Sequence, residues 1–372
     1  MAALTEEQSM IRDQAKSWVT EQAPVSKFRE MRNSGIETRF QPDTWQAMVD
    51  MGWTGILVPE QYGGSGLGYL TFGVVLEEVG RQLTASPLFA SAFVGASAIL
   101  VAGSEDQKQA VLPKIIDGSA ILTLAVDEGP RHDPAQLETT AAASGDGFIL
   151  EGNKTFVHEG LAATDYVVSA LTDAGITLFL VPADSDGISR EALQTMDCRG
   201  YANVHFDGVA LGKDQVLGVI NMGAPVLDNI LDRARAGLCA EMLGTAAQSF
   251  DMTLEYLKTR EQFGQVIGSF QALGHRAADL FGKMELSRSC AEGALQAIDD
   301  DAENSAVMSS LAKAKVGAFL HEMSNQLIQI HGGIGMTDEF DAGFYLKRAR
   351  VLEASFGNQA FHRDRYATLK GF

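Results

Sequence analysis

The sequence is poor in cysteine, in positive charge and in long apolar runs, and its second half is almost free of proline. Three cysteines, Cys198, Cys239 and Cys290, stand far apart in a chain of 372 residues. Their odd number and wide spacing argue against a disulfide framework and against a zinc site, and they read as small buried hydrophobes. Twenty-nine Lys and Arg against 48 Asp and Glu leave a net charge of −19. A balance that acidic gives no general electrostatic footprint for nucleic acid or anionic membranes. No apolar stretch is long enough to span a bilayer; the nearest, Ala90–Ala102, is broken by Ser and Gly. The amino-terminus, Met-Ala-Ala-Leu-Thr-Glu-Glu-Gln, has neither the basic start nor the apolar run of a signal peptide. A reducing cytoplasm is the expected compartment. With 46% hydrophobic and 21% charged residues, the composition is globular and supports two or three domains around a large core.

Eight of the nine prolines precede residue 190 and the last is Pro225, so no obligate helix breaker interrupts the remaining chain. There, Val226–Thr259, Ser269–Asp299 and Ala302–Ile330 carry apolar residues at helical spacing, punctuated by Gly264, Gly268 and Gly332-Gly333. The first 118 residues predict shorter helices. Thr5 with Gln8 opens one as a capping box, Asp43–Met51 forms another, and Tyr69–Gln82 follows the loop Gly63–Gly68. That loop lacks the preceding strand and the Lys-Ser/Thr of a P-loop, which argues against nucleotide binding there. The middle differs in kind: Ile121–Val126, Gly147–Glu151, Tyr166–Leu171, Thr177–Val181 and Asn203–Val209 are short β-branched or aromatic runs between Gly, Asp and Ser clusters. The fold class is therefore α+β. An N-terminal helical domain is expected over 1–118, a middle antiparallel β-barrel or sandwich over 119–218, and a C-terminal four-helix bundle over 219–372.

Four stations along the chain carry a family resemblance. Arg260-Glu261-Gln262-Phe263-Gly264, followed by Ile267-Gly268-Ser269-Phe270-Gln271-Ala272, resembles the Arg-x-x-Phe-Gly signature of the acyl-CoA dehydrogenases. Gln329-Ile330-His331-Gly332-Gly333-Ile334-Gly335 resembles that family's Gln-x-x-Gly-Gly-x-Gly signature, and Pro59–Gly66 and Phe206–Val209 with Val216–Gly218 match two more stations in family order. The resemblance implies an FAD-dependent oxidoreductase acting on an acyl-CoA. Arg260, Gln262 and Phe263 would serve the FAD of a neighbouring subunit, and Gln329, Gly332 and Gly333 its adenosine part. Asn358 and Gln359 would also lie at the cofactor, and an electron-transfer flavoprotein would be the acceptor. An Arg at a helix end and backbone N–H groups beside paired glycines suit an anionic pyrophosphate. Taken alone, the same residues read as a surface Arg, a core Phe and a helix-ending Gly-Gly.

The family reaction removes the α-proton of the thioester with a carboxylate while the β-hydrogen leaves as hydride. The usual position of that base is Phe356 here, where no proton can be taken, although the Phe356 backbone N–H remains available to the thioester oxygen. A second position used by some members is Ala234, just before Arg235, a residue that would lie beside the substrate. The third candidate is Glu241, two helical turns beyond Ala234 and surrounded by small or apolar residues. Members that handle steroid side chains are similar in this stretch. The alternative is a Glu paired across the bundle to Arg276 or Arg288. Arg235 would orient substrate or Glu241, or join a helix-face ion pair.

In the middle segment, Lys154-Thr155-Phe156-Val157-His158 stands where the family has Trp-Ile-Thr or Trp-Ile-Ser against the flavin. Phe156 would stack on the isoalloxazine, and His158 would replace the hydroxyl hydrogen bond or obstruct it. The loop Asp127–Asp133 also departs from the family pattern. Arg131, Arg199 and Arg233 are candidates for a basic entrance to CoA phosphates, and the other histidines read as surface or satisfied interior residues without metal spacing. Two functions follow. One is a working dehydrogenase for a bulky or branched acyl-CoA, in fatty-acid or steroid degradation, with Glu241 as base. The other is a catalytically incomplete subunit that contributes part of an FAD site to a heteromeric enzyme. Either implies a dimer or tetramer, homomeric or with an unlike subunit.

Overall fold

The structure, a computed structural model, describes residues 4–372. The first three residues, on which part of the amino-terminal reading rests, lie outside the described residues. The chain divides into two compact units, one gathering the segment that ends at Arg29 with Tyr69–Thr84 and Arg235–Phe372, the other Glu30–Gly68 with Ala85–Ala234.

In chain order the helices are α1 (Glu6–Gln22), α2 (Val25–Ser34), α3 (Pro42–Asp50), α4 (Gly68–Arg81), α5 (Ala96–Ala102) and α6 (Glu105–Ile116). After the strands come α7 (Gly223–Thr259), α8 (Gln271–Asp299), α9 (Ser305–His331), α10 (Ala342–Ala354) and α11 (Gln359–Leu369). α1 opens with the expected capping box: Thr5 Oγ1 accepts from the Gln8 N–H and the Gln8 side chain returns to the Thr5 N–H. In the first unit, α9 packs on α8, α10 and α11. α7 is buried on nearly all sides from Leu231 to Phe250, as its run of Ala, Gly and Leu requires. α4 crosses it closely enough that a Cβ on Gly244 would overlap the Glu77 carbonyl, and one on Gly80 would overlap that of Glu241.

The second unit is built on an eight-stranded sheet of order β6-β7-β3-β2-β4-β5-β8, with β1 parallel to β4. The strands are β1 (Leu122–Ala125), β2 (Thr140–Ser144), β3 (Gly147–Val157), β4 (Asp165–Thr172), β5 (Gly175–Pro182), β6 (Ile188–Ala192), β7 (Ala202–Leu211) and β8 (Val216–Leu217). β6 and β8 do not pair, so the sheet stays open and sandwich-like instead of closing into a barrel. Its buried face, including Phe148, Leu150, Tyr166, Val168, Phe179 and Phe206, forms a continuous core. Leu88–Gly95 is a fully buried π-helical turn ahead of α5. In the first unit, β9 (Glu261–Gln262) and β10 (Gln265–Val266) make a short exposed hairpin between α7 and α8.

Candidate functional site

In the first unit the hairpin turns on Phe263 and Gly264, both left-handed at φ 54° and 77°. This tight turn leaves the Phe263 ring 92% exposed. Arg260 and Gln329 are exposed. Tyr256, one turn before Arg260, stacks on His331 at 4.3 Å between ring centroids, so the hairpin base and the end of α9 lie side by side. Phe340 covers the other part of the His331 ring at 4.7 Å. His331 is therefore neither a surface residue nor a fully satisfied one. Its Nδ1 bonds the Leu327 carbonyl, while its buried Nε2 has no hydrogen-bond partner among the described residues. Burial lowers its pKa below the ordinary histidine value. Gly332 is left-handed at φ 62°, and an added Cβ at Gly332 or Gly333 would meet nothing within 4 Å. Free space over paired glycines, an exposed guanidinium, an exposed ring and an orphaned imidazole nitrogen fit a large anionic cofactor with a flat aromatic part.

Deeper in the same unit, α10 ends in a connector whose Phe356 and Gly357 are both left-handed, at φ 52° and 101°. Its carbonyls are gathered by donors from three helices. Arg235 Nε of α7 donates to the Phe356 carbonyl at 3.4 Å, and His362 Nε2 of α11 lies 2.9 Å from the same oxygen. Lys313 Nζ of α9 donates to the carbonyls of Leu352, Glu353 and Gly357 at 3.2, 3.1 and 2.9 Å. Arg235 and His362 are fully buried and Lys313 nearly so. Burial, then Arg235 and Lys313 nearby, push the His362 pKa down to about 2, and burial lowers that of Lys313 to about 8. The structure thus joins Arg235 to Phe356, two residues expected beside the substrate. Asn358 uses its side chain to cap α11 on the Phe361 N–H, with Gln359 as the first helical residue.

Glu241 is 5% exposed. Arg348 of α10 donates to its Oε1 through Nη2 at 2.6 Å and Nε at 3.1 Å. The partner is thus neither Arg276, which bonds Gln326, nor Arg288, which holds both oxygens of Glu77. Arg348 escaped the sequence reading because it lies 107 positions away on a helix with no chemical signature.

In the second unit, Phe156 sits at φ 56° and stacks on Tyr201 at 4.4 Å, and His158 meets Tyr201 edge-on at 4.8 Å. Both Phe156 and His158 remain partly exposed. The loop beginning at Asp127 is tied down: Glu128 takes Lys154 Nζ at 2.6 Å and the N–H groups of Glu138 and Thr139, and the Asp127 carboxylate holds His132. Lys154 is fully buried, which lowers its pKa to about 8 against the pull of Glu128. Of the proposed basic entrance, Arg131 is exposed, Arg199 is buried and Arg233 bonds Asn229. Cys239 is buried, but Cys198 and Cys290 are only partly so, and all three are free thiols. Among the described residues no His, Cys, Asp and Glu cluster could hold a metal, and no helix is long and apolar enough to cross a membrane.

Three family models cover nearly the whole chain: the acyl-CoA dehydrogenase N-terminal domain over residues 5–119, the middle domain over 124–209 and the C-terminal domain over 221–368. The caffeyl-CoA reductase–Etf complex subunit CarC of Acetobacterium woodii is 28% identical, over 94% of both chains. Among solved structures, the Tcur3481–Tcur3483 steroid ACAD is similar with a TM-score of 0.90 and 32% identity, covering 98% of both chains. The ChsE4–ChsE5 complex from Mycobacterium tuberculosis is similar with a TM-score of 0.90 and 28% identity, over 100% of this chain and 99% of the other. The chain belongs to the acyl-CoA dehydrogenase family of FAD-dependent oxidoreductases.

Proposed function

We propose that the protein serves the α,β-dehydrogenation of an acyl-CoA thioester with a bulky or branched acyl group, Glu241 taking the α-proton. The observation that carries this reading is Glu241 itself, a carboxylate 5% exposed on a helix buried on nearly all sides. A base for so weak an acid needs a desolvated setting, and such settings mark functional groups. Ala234, Ala236, Gly237 and Ala240 along the same helix would leave room for a large acyl group. A steroid enzyme among the similar structures supports the same size class. Arg235 and the Phe356 N–H would orient the thioester, and Arg260, Gln262, Phe263, Gln329, Gly332, Gly333, Phe156, His158, Asn358 and Gln359 would hold FAD. When bound, FAD would accept the β-hydrogen as hydride. An electron-transfer flavoprotein is the proposed acceptor, in keeping with the Etf complex to which CarC belongs. The exposed Phe281, Leu286 and Met336 call for a covering surface, supporting a dimer or tetramer, and the proposed compartment is the cytoplasm.

A second reading has its own support. Glu241 Oε1 is engaged by Arg348, Phe156 is stacked on Tyr201, and neither Phe356 nor Ala234 can accept a proton. These features favour a subunit that contributes part of an FAD site to a heteromeric enzyme, and two similar structures carry paired names. The two readings separate on expression of the chain alone, followed by its visible spectrum and its mass in solution. A yellow oligomer that desaturates acyl-CoA, and loses turnover on Glu241→Gln, supports the first. Unchanged turnover in that variant removes Glu241 as base. A colourless product that becomes yellow with an unlike dehydrogenase subunit supports the second.

A further inference from the structure

The connector between α10 and α11 is held by its backbone. We propose that Lys313 is a positioning residue whose ammonium group, by binding three carbonyls at once, fixes the left-handed turn that presents Phe356. The Leu352 and Glu353 carbonyls belong to the last turn of α10, whose acceptors have no intrahelical donors, and the Gly357 carbonyl lies beyond the turn. One nitrogen on α9 thus ties both sides of the turn together. Phe356 adopts a non-glycine φ of 52°, a strained backbone conformation that persists only where the surroundings over-determine it. Arg235 and His362 both meet the Phe356 carbonyl, within the turn, whereas Lys313 reaches carbonyls on either side of Phe356.

Lys313 is nearly fully buried, and among the described residues it bonds main-chain carbonyls and makes no salt bridge. Arg235 and Cys239 of α7, Glu353 of α10 and His362 of α11 surround it. Glu353 directs its carboxylate to Arg350 and His321, and gives Lys313 only its carbonyl. An ammonium set among carbonyls holds three acceptors; a neutral amine has only two N–H groups, so the third carbonyl is released. With burial bringing its pKa down to about 8, that change falls within an accessible pH range.

This inference rests on the reading of Phe356 as facing the substrate only for its consequence, not for its test. Hydrogen exchange of the wild-type protein at pH ~7 and ~9.5, corrected for intrinsic rates, should show peptides spanning 350–360 losing about tenfold protection at the higher pH. Peptides from the middle of α9 should hold theirs. Lys313→Met should show the loss already at pH ~7, and Lys313→Arg should restore protection at both. Equal protection at both pH values in the wild type, or a loss spread evenly over the bundle, overturns the inference; the wild-type series decides even if a variant does not fold. Binding of octanoyl-CoA by calorimetry separates the two claims. If exchange responds and Lys313→Met weakens binding about tenfold, both stand. If exchange responds and binding does not change, Lys313 positions the turn but Phe356 leaves the substrate site.

Discussion

Glu241→Gln tests the buried ion pair and the proposed base with one substitution. The side chains of Arg348 and Glu241 are 9% and 6% exposed, and two charge-assisted hydrogen bonds join them. Removing one member of such a pair leaves the other charge buried without its counter-charge, at about 3–5 kcal/mol. Gln keeps one carbonyl oxygen for Arg348, so the lower end of that range, about 3 kcal/mol, is expected for Glu241→Gln and the upper end for Glu241→Met. The double variant Glu241→Met/Arg348→Met should recover most of the loss, because the stranded charge is gone and the hydrophobic replacements pack. Urea unfolding at one fixed protein concentration reads these values, since association would otherwise shift them. If Glu241→Gln unfolds within about 0.5 kcal/mol of wild type, the ion pair is not made in solution, and Glu241 is free to act on substrate. If it destabilises as expected, a loss of turnover in the same variant needs a stability-matched control before it counts as chemistry.

Three further outcomes follow from separate parts of the structure. His362 stays neutral in the folded chain down to about 2, whereas unfolded histidine takes a proton near 6.5. Stability is therefore complete above that value and falls by ~1.4 kcal/mol per pH unit as the medium is acidified. His362→Gln, which keeps a donor for the Phe356 carbonyl, should flatten the slope between pH ~6 and ~4.5 by about one proton, and an unchanged slope refutes the neutral assignment. Arg260→Ala should lower FAD content while altering stability by less than about 0.5 kcal/mol, measured as absorbance per protein against thermal unfolding; retained flavin would remove Arg260 from the cofactor site. Gly244→Ala sets a methyl group against the Glu77 carbonyl at the crossing of α4 and α7. It should cost at least about 3 kcal/mol, and a variant with wild-type melting would mean that this crossing adapts.

The helices were legible where one face alternates with caps and breakers. The Thr5 box, the edges of α4 and all three long helices follow from local chemistry that tertiary contacts did not override. The strands that escaped notice lack that chemistry. β2 reads Thr-Ala-Ala-Ala-Ser and is drawn into the sheet by pairing with β3, a non-local gain that no β-branched residue announces beyond Thr140. β6 carries Arg190 and Glu191 on an exposed edge, so its pattern resembles a loop. For the site, residue identity showed that Phe356 and Ala234 have no carboxylate. It could not show who holds Glu241, because Arg348 and Glu241 meet only when α10 folds back on α7. Nor did it show that His331 is sandwiched between Tyr256 and Phe340, which lie on either side of it in sequence at distances that imply no contact.

The connector separates the shape of the proposed site from the identity of the side chain at 356. Arg235, Lys313 and His362 all act on main-chain oxygens of residues 352–357. None of these bonds involves the side chain at 356, so they are compatible with a Glu or a Phe there alike. The backbone N–H at 356 keeps its setting whichever side chain is present, and with it whatever part of thioester recognition depends on that group. Geometry is thus carried by three buried donors on three helices and not by the side chain at 356. A substitution at 356 that keeps its backbone conformation leaves these bonds in place. Changes to Arg235 or Lys313, by contrast, strand buried carbonyls, and those disturb the fold first.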